Sequence, residues 1–188
     1  MKKSCCLDRA NLREMVQYTT FNSNLPDNRV SLAETTPDGT KWFLTGAGLV
    51  RLSGEETDFR LVGERRENQG CQAVPAPDGS KWLYDGRLIH LTASGSAEFA
   101  ATPEAIRSMA VDLDGTLWVI GESGKVYSRV EDGTFNEYAA LTPYINKEHR
   151  GRIEKVFVDS DGSKWFVLFL DLCPPDNWNP FMVQRRKV

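Results

Sequence analysis

At 188 residues with 40% apolar side chains, the chain is long enough to bury one core and has the size of a single domain. A formal net charge of −3 and a pI near 5.5 give no general attraction for nucleic acid phosphates or an anionic membrane surface, so neither is expected as a partner. The cysteines Cys5, Cys6, Cys71 and Cys173 fit neither a zinc ribbon nor a CxxC redox pair; they read as reduced thiols, and no metal or cofactor is implied.

Met1-Lys2-Lys3 looks like the basic start of an export signal, but the following Ser4-Cys5-Cys6-Leu7-Asp8-Arg9 lacks the apolar stretch such a signal requires. The chain as written is read as cytoplasmic, and as periplasmic if an export signal has been removed. Residues 1–14 are read as a poorly ordered leader, and 15–188 as one domain. Residues 15–21, Met-Val-Gln-Tyr-Thr-Thr-Phe, are rich in β-branched and aromatic side chains and predict a strand ahead of the turn-rich segment 22–28.

One phrase then occurs four times: Pro37-Asp38-Gly39-Thr40-Lys41-Trp42, Pro77-Asp78-Gly79-Ser80-Lys81-Trp82, Leu113-Asp114-Gly115-Thr116-Leu117-Trp118 and Ser160-Asp161-Gly162-Ser163-Lys164-Trp165. Its tryptophans lie 40, 36 and 47 positions apart, the period of a four-stranded propeller blade. In each phrase the Asp caps a turn, the Gly takes a positive φ, and the Trp is placed to fill the wedge between adjacent twisted sheets. The carboxylates of Asp112, Asp114, Asp159 and Asp161 read as turn caps, since the further ligands of a calcium loop do not follow.

The first unit predicts strands over 30–36, 41–45, 49–52 and 57–62. The second predicts 72–76, 81–84, 87–92 and 97–101, with an Asp85-Gly86 hairpin turn. The third predicts 106–112, 117–120, 125–130 and 134–139. The fourth follows a longer crossover, 141–152, and predicts 153–158, 164–170 and 181–185, with the excursion 171–180 in place of a tight turn. The expected fold is all-β: a small β-propeller of four blades with four antiparallel strands each, the N-terminal strand 15–21 completing the last blade by pairing with 181–185. That pairing leaves no bare edge and favours a monomer over a homodimer.

The stretch from Tyr18 to Val30, followed by Asp38-Gly39-Thr40-Lys41-Trp42-Phe43-Leu44-Thr45-Gly46-Ala47-Gly48-Leu49, resembles the two-component regulator propeller repeat. The resemblance covers about 15–185 and implies a propeller that receives a signal. Streptogramin lyases are more distantly similar propellers in which a His and a Glu act near a magnesium ion. That likeness would direct attention to His149 and Glu148, because His90 falls within a strand. No Gly-x-Ser-x-Gly, Walker or HExxH motif is present.

Loops carry function on such scaffolds, and the crossovers between blades share one end of the ring with the turns between second and third strands. Arg29, Arg66, Arg107, His149, Arg150, Arg152 and Trp178 would gather there and line the main pocket. Guanidinium groups arriving from several blades match carboxylates and phosphates. The expected function is a non-catalytic binding module for a small anion or acidic protein partner. The alternatives are a lyase-like enzyme using His149 and Glu148, or a scaffold that assembles into a larger ring.

Overall fold

In the computed structural model of the chain, residues 16–52, 58–64, 71–130, 133–144, 151–170 and 181–186 are described. The expected leader lies outside them.

The turns set the architecture. Gly39, Gly79, Gly115 and Gly162 take φ values of 85°, 84°, 88° and 78°, the left-handed region that an L side chain resists. Asp38 accepts hydrogen bonds from Thr40 N at 3.1 Å, Thr40 Oγ1 at 2.7 Å and Thr36 Oγ1 at 2.6 Å. Asp78, Asp114 and Asp161 accept the amide two residues on, each at 2.9 Å. Each phrase thus closes a hairpin of fixed register.

Four antiparallel sheets result. The first contains β1 (Val30–Thr35), β2 (Lys41–Thr45), β3 (Gly48–Leu52) and β4 (Phe59–Glu64) in sequential order. The second has β5 (Gln72–Pro75), β6 (Lys81–Tyr84), β7 (Leu88–Leu91) and β8 (Ala97–Ala100), and the third β9 (Ile106–Val111), β10 (Leu117–Gly121), β11 (Val126–Arg129) and β12 (Phe135–Glu137). The fourth is formed by β13 (Gly151–Val158), β14 (Lys164–Leu170) and β15 (Phe181–Arg186). A 3-10 helix, Ala139–Tyr144, follows β12 and drives Leu141 into the core between the third and fourth sheets.

Neighbouring blades pack face to face. Trp42 and Leu44 meet Leu83, Ile89 and Leu91 of the second blade. Trp82 and Tyr84 meet Ile106, Met109, Leu117 and Val119 of the third. Trp118 and Ile120 meet Ile153, Val156, Phe166 and Leu168 of the fourth. Along β10 every residue is buried, because alternate side chains serve the cores on either side; the strand is a continuous apolar run for that reason.

The expected closure of the ring is not what forms. Residues 16–21 make no strand, and the last blade has three strands among the described residues. Thr19 N donates to Asn22 Oδ1 at 2.6 Å and Ser23 N to Thr19 O at 3.0 Å, so a local turn uses the backbone groups that a sheet would need. Tyr18 packs edge-on against Phe59 at 5.4 Å, and Leu25 is buried with Val50 and Phe59. Asn24 Oδ1 also accepts from Phe59 N at 3.0 Å. The N-terminal segment therefore covers the face of the first blade that a preceding blade would occupy. No core cluster joins the fourth blade to the first among the described residues. Trp165 accordingly departs from its three counterparts: it is half-buried, lies parallel to Phe157 at 5.9 Å and donates from Nε1 to Asp159 at 2.7 Å.

Candidate functional site

At the crossover end, Arg29 is 84% exposed and pairs with Asp27 at 3.2 Å. Arg107, on β9, reaches Glu154 of the fourth blade at 2.9 Å and Glu122 at 2.5 Å. Arg152 also bonds Glu154 and lies over the Phe169 ring at 5.2 Å. Burial opposes the charge of Arg107, but the hydrogen bond and charge of Glu154 outweigh it and raise its pKa above the ordinary value. The structure thus brings Arg107 and Arg152 together around a shared glutamate and leaves Arg29 with its own aspartate. Arg66, His149, Arg150 and Trp178, with Glu148, lie outside the described residues.

The concave surface expected at that end has a counterpart at the opposite, Asp-Gly end, between the second and third blades. Its origin is a break in the pattern of blade junctions. Lys81 of β6 bridges to Glu34 across the first junction, and Lys164 of β14 bridges to Asp112 across the third. At the second junction Leu117 occupies the lysine position, while Val74 and Ala76 stand where the other junctions carry Glu34 and Asp112. The turns there also fail to interlock. A Cβ on Gly79 would meet Pro37 at 2.7 Å and one on Gly162 would meet Leu113 at 3.4 Å, yet one on Gly115 would meet nothing within 4 Å.

Two adjoining cavities of about 330 and 300 Å³ fill this opening, with Trp82, Asp114, Gly115 and Arg129 common to both. The Arg129 guanidinium lies over the Trp82 ring at 4.9 Å, and the His90 ring stacks on Trp82 at 4.3 Å with an interplanar angle of 15°. Arg129 is half-buried and has no carboxylate partner among the described residues; its Nε is buried without an acceptor. By contrast Arg87, which lines a separate bowl of about 650 Å³ at the crossover end, is held by two hydrogen bonds to the fully buried Asp85, at 2.7 and 3.2 Å.

Asp78 and Asp114 stand exposed at the mouth. Hydrogen bonds from the Ser80 side chain and amide hold Asp78 below its ordinary pKa, and the Thr116 amide does most to lower Asp114. Both are carboxylates at neutral pH. Among the described residues, the groove therefore presents one guanidinium without a carboxylate partner, two anions and an aromatic wall. Arginine position along the chain could not reveal it; the Leu117 that interrupts the Lys-Trp phrase could.

With β-meanders radiating through shared Trp-centred cores, the arrangement can be set beside known proteins. The fold is that of a β-propeller. A streptogramin B lyase matches with a TM-score of 0.52 and 16% identity, over 89% of this chain and 57% of the lyase. The extracellular domain of a one component system protein from B. thetaiotaomicron matches with a TM-score of 0.53 and 20% identity, over 82% of this chain and 22% of that one. A catalytically inactive virginiamycin B lyase from Staphylococcus aureus, with quinupristin, matches at 0.50 and 17% identity, over 85% and 56%. These likenesses agree with the propeller fold that the repeats imply. The chain spans little more than half of the lyases and under a quarter of the extracellular domain. No protein-family profile matches the chain, and no curated protein matches its sequence. Among the described residues, no helix is long and apolar enough to cross a membrane.

Proposed function

We propose that this propeller is a non-catalytic binding module, and that it receives the anionic group of a ligand at Arg129 in the groove between the second and third blades. The observation that carries this reading is a half-buried guanidinium in a concave site, with no carboxylate partner among the described residues, at the one interior junction where the Lys–carboxylate bridge is replaced by apolar side chains. A ligand carboxylate or phosphate would supply the missing acceptors in the fork geometry that arginine favours. Arg29, Arg107 and Arg152 at the crossover end are by contrast each paired with a carboxylate, of Asp27, Glu122 or Glu154.

The reading as a binder rather than an enzyme rests on the chemistry of the groove walls. Asp78 and Asp114 are committed to turn amides with lowered pKa values, so neither carries a proton to donate at neutral pH. His90 is stacked flat on Trp82, with Nδ1 3.7 Å from Glu98.

An amide and indole NMR titration with acetate and glycylglycine tests the proposal. The expected result is a set of shifts centred on the Trp82 indole N–H and the Arg129 side chain, lost in Arg129→Gln. Shifts that persist unchanged in that variant, or that centre on Arg107 and Arg152, would overturn it.

A further inference from the structure

The charges around Arg129 restrict what the groove can hold. We infer that its ligand carries both a carboxylate and an ammonium group, as a free amino acid or the end of a short peptide does; this rests on the reading of the groove as a binding site. A simple anion approaching Arg129 passes Asp78 and Asp114, both ionised at the mouth. A simple cation drawn to those two carboxylates meets the guanidinium of Arg129 inside. Repulsion from the like charge on one wall weakens the attraction of the opposite charge on the other. A zwitterion satisfies both walls at once.

The geometry orders the ligand. Arg129 projects from β11 onto Trp82, so the carboxylate belongs in the inner part of the groove, against the part of the guanidinium that lines the cavities. Asp114 sits in the turn between β9 and β10, and Asp78 in the facing turn between β5 and β6; each belongs to a different blade, and the ammonium lies between them. Asp78 and Asp114 each accept a turn amide through Oδ1, and a bond from the Ser80 or Thr116 side chain. A carboxylate has about four lone-pair sites, so each turn leaves capacity for a ligand donor. Cavities of about 330 and 300 Å³ that share four residues accommodate a ligand of dipeptide size.

Calorimetric titration of the full chain with glycylglycine, N-acetylglycine, acetate and ethylammonium decides the matter. Glycylglycine is expected to bind at least about tenfold more tightly than each of the three singly charged or uncharged-amine probes. Asp114→Asn retains an oxygen to cap the turn, and should bring glycylglycine down to within about twofold of N-acetylglycine. Arg129→Gln should weaken glycylglycine by about tenfold or more; Arg129→Lys keeps the charge and should recover part of the loss, which separates a damaged fold from a missing contact. N-acetylglycine binding as tightly as glycylglycine in the wild type, with both dependent on Arg129, would overturn the zwitterion while leaving the module in place. Affinities for all four probes that ignore Arg129 would remove the binding site itself.

Discussion

Lys164 Nζ contacts the Asp112 carboxylate across the junction of the third and fourth blades, and each side chain is only 7% exposed. The ammonium also lies 5.7 Å above the ring of Trp118, so the pair seals the edge of an apolar core. Removing one member of a buried pair leaves an uncompensated charge. Lys164→Met is therefore expected to cost about 3–5 kcal/mol, and adding Asp112→Asn should recover part of it because no bare charge remains. The equivalent pair at the first junction, Lys81 and Glu34, is 23% exposed on both sides, so Lys81→Met should cost about 1 kcal/mol. Urea unfolding of the variants checks the ranking; equal losses at the two junctions would contradict it.

Trp118 is almost fully buried between two blades, whereas Trp165 is half-buried against Phe157. Trp118→Ala should cost about 3–5 kcal/mol through lost burial and an unfilled cavity. Trp165→Ala should cost about 1–2 kcal/mol, since less apolar area is returned to water. Melting of the two variants side by side measures the difference. A Trp165 loss as large as that at Trp118 would mean the four repeats are energetically equivalent after all.

Leu25 is 7% exposed and sits on Val50 and Phe59, with Tyr18 at the rim of the same cluster. The segment acts as a cap on the first blade, and its contacts should be worth measurable stability. Leu25→Ala is expected to cost about 2 kcal/mol, and Asn24→Ala about 1 kcal/mol by stranding the Phe59 amide. Hydrogen exchange should show β3 and β4 losing protection first. Unaltered protection in those strands in Leu25→Ala would rule out the cap.

The repeating phrase made the blades legible because its information is local: Asp, Gly and a hydroxyl residue specify a turn, and the turn specifies the hairpin around it. The N-terminal segment was not legible for the opposite reason. Its β-rich composition suits a strand edge and an apolar face alike; the turn around Thr19 and Asn22 goes with packing on the face of the first blade. The partners of Arg107 were illegible for a similar reason. Arg107 looks like an unpaired loop cation until the fold delivers Glu154 from 47 positions away, one blade on. The groove was partly legible, since Leu117 breaks a Lys-Trp phrase that the other three repeats keep, but its meaning requires knowing that the lysine bridges to the preceding blade.

A last relationship concerns pH. At the crossover end of the third blade, Glu104 accepts hydrogen bonds from Ser123 Oγ at 2.6 Å, Ser123 N at 2.8 Å and Tyr127 Oη at 2.9 Å. Gly121 makes room for it: a Cβ there would fall 2.1 Å from Glu104 Cδ. Burial alone would raise the Glu104 pKa, but the Ser123 and Tyr127 hydrogen bonds outweigh it and hold the carboxyl below its ordinary 4.5. Burial, reinforced by Glu104, pushes the Tyr127 hydroxyl up to about 12, so it remains a donor throughout the neutral range. A carboxyl whose folded pKa is depressed stabilises the fold fully above its unfolded value and loses that contribution as pH falls through the folded one. The stability difference between wild type and Glu104→Gln should accordingly be constant from neutral pH down to about 5, then shrink below 4.5. Gly121→Ala, which displaces the carboxyl, should flatten the same acid limb. Urea unfolding at a series of pH values would show it, and a wild-type to Glu104→Gln difference that stays constant to pH ~3 would mean the carboxylate is not held by these donors.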